Sequence, residues 1–361
     1  MNEIIQGDCL EKLKEIDDES IQCCVTSPPY WGLRDYGTAS WEGGDAGCDH
    51  QYQKGGRNPE TAGKQLTNAG TIFSQYEHTC PKCGANRVDD QLGLEETPEL
   101  YVEKMVKVFR EVRRVLKPDG TLWLNLGDSY NGSGKGGDSE KMYAKRHTQF
   151  GEICDIRKHG VPTRIKSLKP KDLCGIPWRV AFALQQDGWW LRQDIIWHKP
   201  NPMPESVQDR CTKSHEYIFL MTKSARYYYD HEAIKEPSLD PTDNRAAREK
   251  KYETGEKHIS RLNPNTAKTY SMANKRSVWT VPTKPFKGAH FAVFPPELIK
   301  PCILAGSKEK DIVLDPFAGS GTALIVAKKY GRQYIGIELN PDYIEMAEKR
   351  LKKANSMYDS Q

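Results

Sequence analysis

Long apolar runs and export signals are missing from this sequence of 361 residues. It contains no stretch of about 18 apolar residues, the length that a membrane-spanning helix needs. Residues 1–5 lack the basic and then apolar pattern of a secretory signal. With 28% charged residues and a mean hydropathy of -0.73, the chain is predicted to be a soluble, cytoplasmic protein that does not associate with a membrane.

The ten cysteines do not predict a disulfide framework. Such frameworks are typical of short exported chains, whereas cysteines in a long chain without an export signal are free thiols or metal ligands. The cysteine content therefore predicts a reducing compartment.

Two common nucleotide-binding patterns are also missing. The loop at 315–322, Asp-Pro-Phe-Ala-Gly-Ser-Gly-Thr, has neither the Gly-x-Gly-x-x-Gly of dehydrogenases nor the Gly-Lys-Ser/Thr of a P-loop. This glycine loop lies between a predicted strand at 311–315 and a predicted helix at 323–330. Its glycines let the backbone approach a ligand closely, and helix-terminal amides face an anion.

Glu338 ends the next predicted strand, 333–338, where a carboxylate can accept hydrogen bonds from both ribose hydroxyls. An ordinary tight turn is the alternative for a glycine loop alone. The acidic residue at the end of the following strand favours a nucleoside cofactor instead.

Hydrophobic periodicity predicts alternating strands and helices along much of the chain. This alternation predicts an α/β fold with a mainly parallel sheet, helices on both faces and ligands at the carboxyl ends of the strands. Besides the elements already given, we predict a strand at 21–25, a helix at 101–116, a turn at 117–120, a strand at 121–126 and a helix from 341.

Ser27-Pro28-Pro29-Tyr30 directly follows the strand at 21–25. Two consecutive prolines cannot continue a central strand, so main-chain carbonyls are left to face a ligand. We predict that Ser27 Oγ and the Pro28 carbonyl accept the two N–H groups of an exocyclic amine and that a displaced base stacks on Tyr30. An ordinary proline turn with an aromatic plug is the alternative for this proline loop by itself.

Together the two loops resemble those of the N4-cytosine/N6-adenine DNA methyltransferase family, and their order resembles its beta subgroup. The resemblance covers residues 1–40, 91–230 and 286–353. It implies a Rossmann-like methyltransferase fold and direct methyl transfer from S-adenosylmethionine to the exocyclic amine of a flipped base in double-stranded DNA. Serine at position 27 is typical of the N4-cytosine enzymes, whereas adenine N6 is the alternative target.

By that resemblance, Asp8 binds the adenine end of the cofactor and Phe317 packs on it, while the segment 290–295, with His290, Phe291 and Phe294, flanks its methionine end. The predicted catalytic residues are Ser27, Pro28, Pro29 and Tyr30. The predicted cofactor-binding residues are Asp8, Cys9, His290, Phe291, Asp315, Phe317, Gly319, Ser320, Gly321, Thr322, Glu338 and Leu339.

A cysteine and histidine cluster predicts a metal site. Cys80 and Cys83 have the spacing of a zinc knuckle, and Cys48 and His50 lie upstream in the same polar segment. Four protein ligands fill a tetrahedral Zn²⁺, which predicts a structural ion. A redox pair is the alternative for Cys80 and Cys83, and His78 is the alternative to His50.

Positive charge is concentrated in two segments, 131–170 and 235–285, which together carry a net charge of +10 while the whole chain carries +4. Such segments favour binding to DNA phosphates. We therefore predict a catalytic core (1–39, 91–130, 171–234 and 286–355), a zinc-binding insert (40–90) and basic DNA-recognition inserts (131–170 and 235–285). Further DNA-contact candidates are Trp31, Arg34, Asp35, Tyr36, Arg210 and Lys213.

Several alternatives stay open. Trp197 is either a core residue or part of the DNA surface. Related enzymes methylate RNA or protein amides, and a zinc-dependent DNA-binding protein without activity is a further alternative. The sequence also leaves open a partner restriction endonuclease and a homodimer.

Overall fold

The computed structural model describes residues 2–32, 40–48, 80, 82–88, 91–95, 97–131, 168–169, 171–238, 271–283 and 294–356. The strands in these ranges are β1 (Asn2–Gln6), β2 (Ile21–Thr26), β3 (Ser40–Glu42), β4 (Asn86–Val88), β5 (Leu116–Leu126), β6 (Trp190–His198), β7 (His215–Thr222), β8 (Glu236–Pro237), β9 (Met272–Ala273), β10 (Val278–Thr280), β11 (Ile312–Asp315) and β12 (Gln333–Glu338). The helices are α1 (Cys9–Leu13), α2 (Pro98–Val115), α3 (Ile176–Gln186), α4 (Pro296–Gly306), α5 (Thr322–Lys329) and α6 (Pro341–Ser356). Within the described ranges, none of these helices has the length and apolar character that a membrane span requires.

Eight strands form one sheet in the order β1-β12-β11-β2-β5-β7-β6-β10. Only β7 runs antiparallel to its two neighbours among these described strands, and the other neighbouring pairs are parallel. Helices cover both faces, since α2 and α3 pack in one apolar cluster and α4 and α5 in the other. The predicted α/β fold with a mainly parallel sheet is confirmed.

The direction of the chain reverses between β2 and β11. From β2 the chain passes through α2 to its neighbour β5, whereas from β11 it passes through α5 to β12 on the other side. Crossovers that run in opposite directions leave a crevice between the two starting strands, at their carboxyl ends. Both predicted loops begin at this crevice.

The turn predicted at 117–120 belongs to β5, where it forms a bulge. Ile21 pairs with Leu116 and Cys23 pairs with Thr121, so four residues of β5 lie opposite Gln22. Gln22 Nε2 donates to Asp119 Oδ1 at 3.1 Å and stabilises the bulge. The prediction recognised the Pro-Asp-Gly break but missed that the strand continues around it.

Helix α2 begins earlier than predicted. Thr97 Oγ1 accepts the backbone N–H of Leu100 at 3.2 Å, and Pro98 occupies the first helical turn, where its missing N–H costs no hydrogen bond. The helix therefore starts three residues before Tyr101.

Trp197 is a core residue. It is 4% exposed, it pairs with Trp279 across β6 and β10, and its Nε1 donates to the Val281 carbonyl at 2.8 Å. Residues 278–280, which fall within the predicted insert at 235–285, thus extend the main sheet at its edge. Most of 131–170 and 239–270 lies outside the described residues.

Candidate active site and cofactor cleft

A cleft opens at the crevice between β2 and β11. It is lined by the glycine loop, the proline loop, the turn between β1 and α1, and the end of β12. Of the predicted site residues it is lined by Asp8, Cys9, Ser27, Pro29, Asp315, Phe317, Gly319, Ser320, Thr322, Glu338 and Leu339. Phe294, predicted to flank the methionine end of the cofactor, also lines the cleft, and Gln91, Leu92 and Tyr343 line it without having been predicted.

Three predicted site residues in the described part of the chain, Pro28, Tyr30 and Gly321, do not line the cleft. Gly321 precedes α5 with a φ of +76°, and a Cβ there would lie 2.8 Å from Ala347 Cβ, so glycine is needed for packing. Pro28 is buried. His290 and Phe291 lie outside the described residues.

Asp315 joins the ends of the two central strands. It is 1% exposed, and its Oδ1 accepts Thr26 Oγ1 at 2.6 Å and the Phe317 N–H at 3.1 Å. Burial raises the pKa of Asp315 to about 7, although both hydrogen bonds favour the ionised form. The side chain thereby fixes the start of the glycine loop against the start of the proline loop.

Glu338 holds the middle of the glycine loop. Its Oε2 accepts the Gly319 N–H at 2.8 Å and its Oε1 accepts the Asn340 N–H at 2.8 Å. Burial raises the pKa of Glu338. Each carboxylate oxygen can accept more than one hydrogen bond, so the group keeps capacity towards the cleft.

Asp8 caps the first helix. Its Oδ1 accepts the N–H groups of Leu10 at 2.9 Å and Glu11 at 3.1 Å. The preceding Gly7 N–H donates to the Glu338 carbonyl at 3.0 Å, which aligns this turn with the end of β12. Burial raises the pKa of the Cys9 thiol, so the thiol is neutral beside the cleft.

The charge of the cleft distinguishes between classes of cofactor. Asp8, Asp315 and Glu338 line it, whereas its described lining contains no Lys or Arg. A pyrophosphate would meet carboxylates here without a balancing cation, which disfavours dinucleotides and nucleotides. The same residues suit a nucleoside with a positive charge, such as a sulfonium.

Arg350 of α6 supports the glycine loop and was not predicted. Its Nη1 donates to Ser320 Oγ at 2.7 Å and to Thr322 Oγ1 at 3.2 Å, and also to the Ser320 carbonyl. Burial lowers the pKa of Arg350. In the sequence Arg350 stands among exposed lysines and glutamates, which gave no signal for this contact.

Tyr30 belongs to a polar network beneath the proline loop. Its hydroxyl lies 2.8 Å from Glu216 Oε2 and 3.1 Å from Asn125 Oδ1, and Ser27 Oγ donates to it at 3.4 Å. Lys199 Nζ forms an ion pair with Glu216. Burial raises the pKa of Tyr30, so its hydroxyl is a neutral donor.

The Tyr30 ring packs against Gly127, where a Cβ would lie 2.5 Å from Tyr30 Cε2. Tyr101 Oη donates to the Pro29 carbonyl at 2.9 Å and attaches the loop to α2. Trp31, a predicted DNA-contact candidate, is 4% exposed, and its Nε1 donates to the Glu95 carbonyl at 2.9 Å. The proline loop is therefore fixed from several sides.

Lys213 and Arg210 were both predicted to contact DNA phosphates. In the structure both bind groups within the protein. Lys213 Nζ donates to the Asp128 carbonyl at 2.9 Å, and burial lowers the Lys213 pKa. Arg210 pairs with Glu205 at 2.7 Å and lies 3.9 Å from the Tyr130 ring centre. Residues 34–36 lie outside the described residues.

The structure brings Cys48, Cys80 and Cys83 together. Their sulfur atoms all lie within 4.8 Å of one another, and Cys48 Sγ is 3.9 Å from Cys80 Sγ. Hydrogen bonds from the backbone of Asp45 and Ala85 lower the pKa of Cys83. His50 and His78 lie outside the described residues, so the predicted fourth ligand stays a prediction.

Comparison with known proteins gives the family. A family model described as DNA methylase matches residues 21–349. Type II methyltransferase M.Cfr9I of Citrobacter freundii is 41% identical over 349 residues, which cover 97% of this chain and 87% of that protein. Type II methyltransferase M.SmaI of Serratia marcescens is 41% identical over 348 residues, with coverage of 96% and 90%.

Two solved structures share the fold. PvuII DNA methyltransferase (cytosine-N4-specific) matches with a TM-score of 0.53 at 16% identity, covering 99% of this chain and 92% of that one. A putative DNA modification methylase from Thermus thermophilus, complexed with S-adenosyl-L-methionine, matches with a TM-score of 0.51 at 21% identity, covering 98% and 94%.

The sheet and its cleft define a Rossmann-like methyltransferase fold. The chain belongs to the family of DNA methylases that act on cytosine N4 or adenine N6, and it is a DNA methyltransferase of that family.

Proposed function

We propose that this protein methylates cytosine N4 at a specific site in double-stranded DNA, with S-adenosylmethionine bound in the cleft between β2 and β11. One observation carries this proposal. The proline and glycine loops leave neighbouring strands at the switch point, where Thr26 Oγ1 and Asp315 Oδ1 are 2.6 Å apart. A base amine at Ser27 would therefore face a cofactor held along the glycine loop.

The cofactor residues follow from the same geometry. Glu338 would accept hydrogen bonds from the ribose, Asp8 would bind the adenine end, and Phe317 would pack on the ligand. The acidic lining suits the sulfonium, which supplies an electrophilic methyl group. Asp315 and Arg350 would keep the loop rigid through their hydrogen bonds to it.

The base amine would be bound by the proline loop. Ser27 Oγ lines the cleft and can accept one amine N–H while its own hydrogen points to Tyr30 Oη. The rigid loop would hold the amine nitrogen in line with the methyl group. The resemblance of residues 27–30 to the proline loop of the N4-cytosine enzymes supports cytosine as the target, and the flipped base would stack near Tyr30.

A structural Zn²⁺ would hold the antiparallel pair of strands β3 and β4 together. A tetrahedral ion with Zn–S bonds of about 2.3 Å separates its sulfur ligands by about 3.8 Å. The 3.9 Å between Cys48 Sγ and Cys80 Sγ fits this spacing, and Cys83 completes a set of three thiols. We infer that His50 supplies the fourth ligand.

DNA binding would rest on the basic inserts at 131–170 and 235–285, whose positive charge can neutralise phosphates. The curated relatives are named Type II methyltransferases. We infer that this enzyme protects a site from a restriction endonuclease of the same specificity. A homodimer stays a prediction.

The test is incubation of the full chain with unmethylated duplex DNA and labelled S-adenosylmethionine, then mass spectrometry of the nucleosides. We expect labelled N4-methylcytosine, and none with Ser27→Ala. Labelled N6-methyladenine would overturn the assignment of cytosine while keeping the family. If the cofactor binds but no methylated nucleoside is found, duplex DNA is not the substrate.

A further inference from the structure

The segment 91–95 lies between the cysteine cluster and the cofactor cleft. Gln91 and Leu92 line the cleft and are 4% and 9% exposed. The segment follows β4 within three residues, and β4 follows Cys83 within three. We name residues 91–95 the strap. The strap therefore connects the strand that follows the thiols to the wall of the cleft.

The strap also contacts the proline loop. The Gly32 N–H donates to the Gly93 carbonyl at 2.9 Å, and Trp31 Nε1 donates to the Glu95 carbonyl at 2.9 Å. Gly93 has a φ of +99°, and a Cβ there would lie 3.1 Å from the Tyr30 carbonyl oxygen. The strap is thus packed closely on the loop that carries Ser27.

The inner end of the strap is fixed by Glu95. Its side chain is 3% exposed, its Oε2 accepts the Gly93 N–H at 2.9 Å, and Lys104 Nζ of α2 lies 3.1 Å from Oε1. The outer end continues into the ladder of β3 and β4, which has three residue pairs. The inner end is therefore fixed by a buried carboxylate, whereas the outer end depends on a short ladder.

A two-stranded ladder of three pairs is marginal by itself. The cysteine end adds two backbone hydrogen bonds, from Cys80 N–H to the Ala85 carbonyl at 2.6 Å and from Gly84 N–H to the Cys80 carbonyl at 2.8 Å. Cys48 is 32 positions before Cys80, so joining the two sides of the ladder closes a long loop at an entropic cost. A metal ion on Cys48, Cys80 and Cys83 would offset that cost.

We propose that the metal ion at the cysteine cluster controls cofactor affinity, because it holds the ladder that keeps the strap against the cleft. This inference rests on the metal site of the proposed function. Metal removal would release Gln91 and Leu92 from the cleft wall and loosen the contact with the proline loop. The ion would act through protein structure and take no part in methyl transfer.

The experiment compares the wild-type protein with the double variant Cys80→Ser/Cys83→Ser and the control Cys211→Ser, whose cysteine is exposed and outside the cluster. Zinc per chain is measured by mass spectrometry, and the Kd for S-adenosylmethionine by calorimetry. We expect one zinc per chain in the wild type and control, none in the double variant, and a Kd raised at least tenfold in the double variant. Chelator treatment of the wild type should raise the Kd equally, and added Zn²⁺ should restore it.

A second variant tests the strap without touching the thiols. Gly93→Ala introduces a Cβ against the Tyr30 carbonyl at a positive φ, so it should displace the strap and raise the Kd while zinc content stays at one. Bound zinc whose removal leaves the Kd unchanged would overturn the coupling and leave the metal site standing. Wild-type protein without bound metal would overturn both.

Discussion

The glycine loop at 315–322 is held by residues near it in sequence, whereas the proline loop at 27–30 is held by side chains from distant elements. Glu338 and Arg350 lie 19 and 30 positions from their partners in the glycine loop. Tyr101 and Glu216 lie 72 and 186 positions from theirs in the proline loop. Apart from Asp315, which links the two loops through Thr26, cofactor binding and base positioning therefore depend on different supporting residues, which mutations can separate.

The largest expected effect is on the glycine loop. Glu338→Ala leaves two partly buried backbone N–H groups, of Gly319 and Asn340, without their acceptor. Loss of such charge-assisted bonds costs about 3 kcal/mol, which is about 100-fold in affinity. Calorimetry with S-adenosylmethionine should show this loss, while Glu345→Ala, an exposed residue of α6 paired with Lys349, should bind normally. Equal affinity in both variants would contradict a role for Glu338 in the cleft.

A second variant tests the support of the proline loop. Glu216→Ala removes one of the hydrogen-bond partners of the Tyr30 hydroxyl and leaves Lys199, whose side chain is 18% exposed, without its ion pair. We expect kcat to fall about 30-fold, as for about 2 kcal/mol of lost positioning, with the Kd for S-adenosylmethionine within about twofold of wild type.

Tyr30→Phe serves as the matched control for Glu216→Ala, because it removes only the hydroxyl of the network. If Glu216 acts through Tyr30, the double variant should be no slower than Glu216→Ala alone. A cofactor affinity that falls together with kcat would show that the two loops are not independent.

The contrast between the loops also explains what the sequence predicted. The glycine loop, Glu338 and the strand, helix and strand around them are local patterns, so alternation and loop chemistry were enough to predict them. The cysteine cluster was predicted because Cys80 and Cys83 have the short spacing of a zinc knuckle and Cys48 lies in the same polar segment. The bulge at 117–120 was missed because a Pro-Asp-Gly sequence has the same local signal whether the strand ends or continues.

The residues that the sequence missed share one physical feature. Asn125, Lys199 and Glu216 come from β5, the end of β6 and β7, and they meet Tyr30 only because the sheet order places those strands together. Gln91 and Leu92 likewise reach the cleft from the strap, which follows β4. Chain topology brings these side chains to the site, and no local pattern encodes it.

Asp315 lies between the two loops, and its titration provides a third test. Its folded pKa of about 7 exceeds its ordinary value of 3.8, so the folded state binds the proton more tightly than the unfolded state. The contribution of Asp315 to stability should therefore fall as pH rises from about 4 to about 7, by at most about 1.4 kcal/mol per pH unit, and level off above.

Asp315→Asn isolates this effect, because its amide oxygen can still accept from Thr26 and Phe317. Urea unfolding at several pH values should show the variant gaining stability relative to wild type between about pH 5 and about pH 7. A constant difference across that range would mean that the carboxyl group titrates near its ordinary pKa.

The smallest expected effect concerns Arg350, which supports the glycine loop from outside the cleft. Arg350→Met keeps much of the buried stem but removes the donors to Ser320 and Thr322. With about 1 kcal/mol lost, we expect the Kd for S-adenosylmethionine to rise about fivefold, and Lys349→Met beside it should leave the Kd unchanged. Because Arg350 does not line the cleft, kcat at saturating cofactor should stay at the wild-type value in stopped-flow methylation assays. A fall in kcat would mean that the glycine loop also positions the base, and the separation between the two loops would then be incomplete.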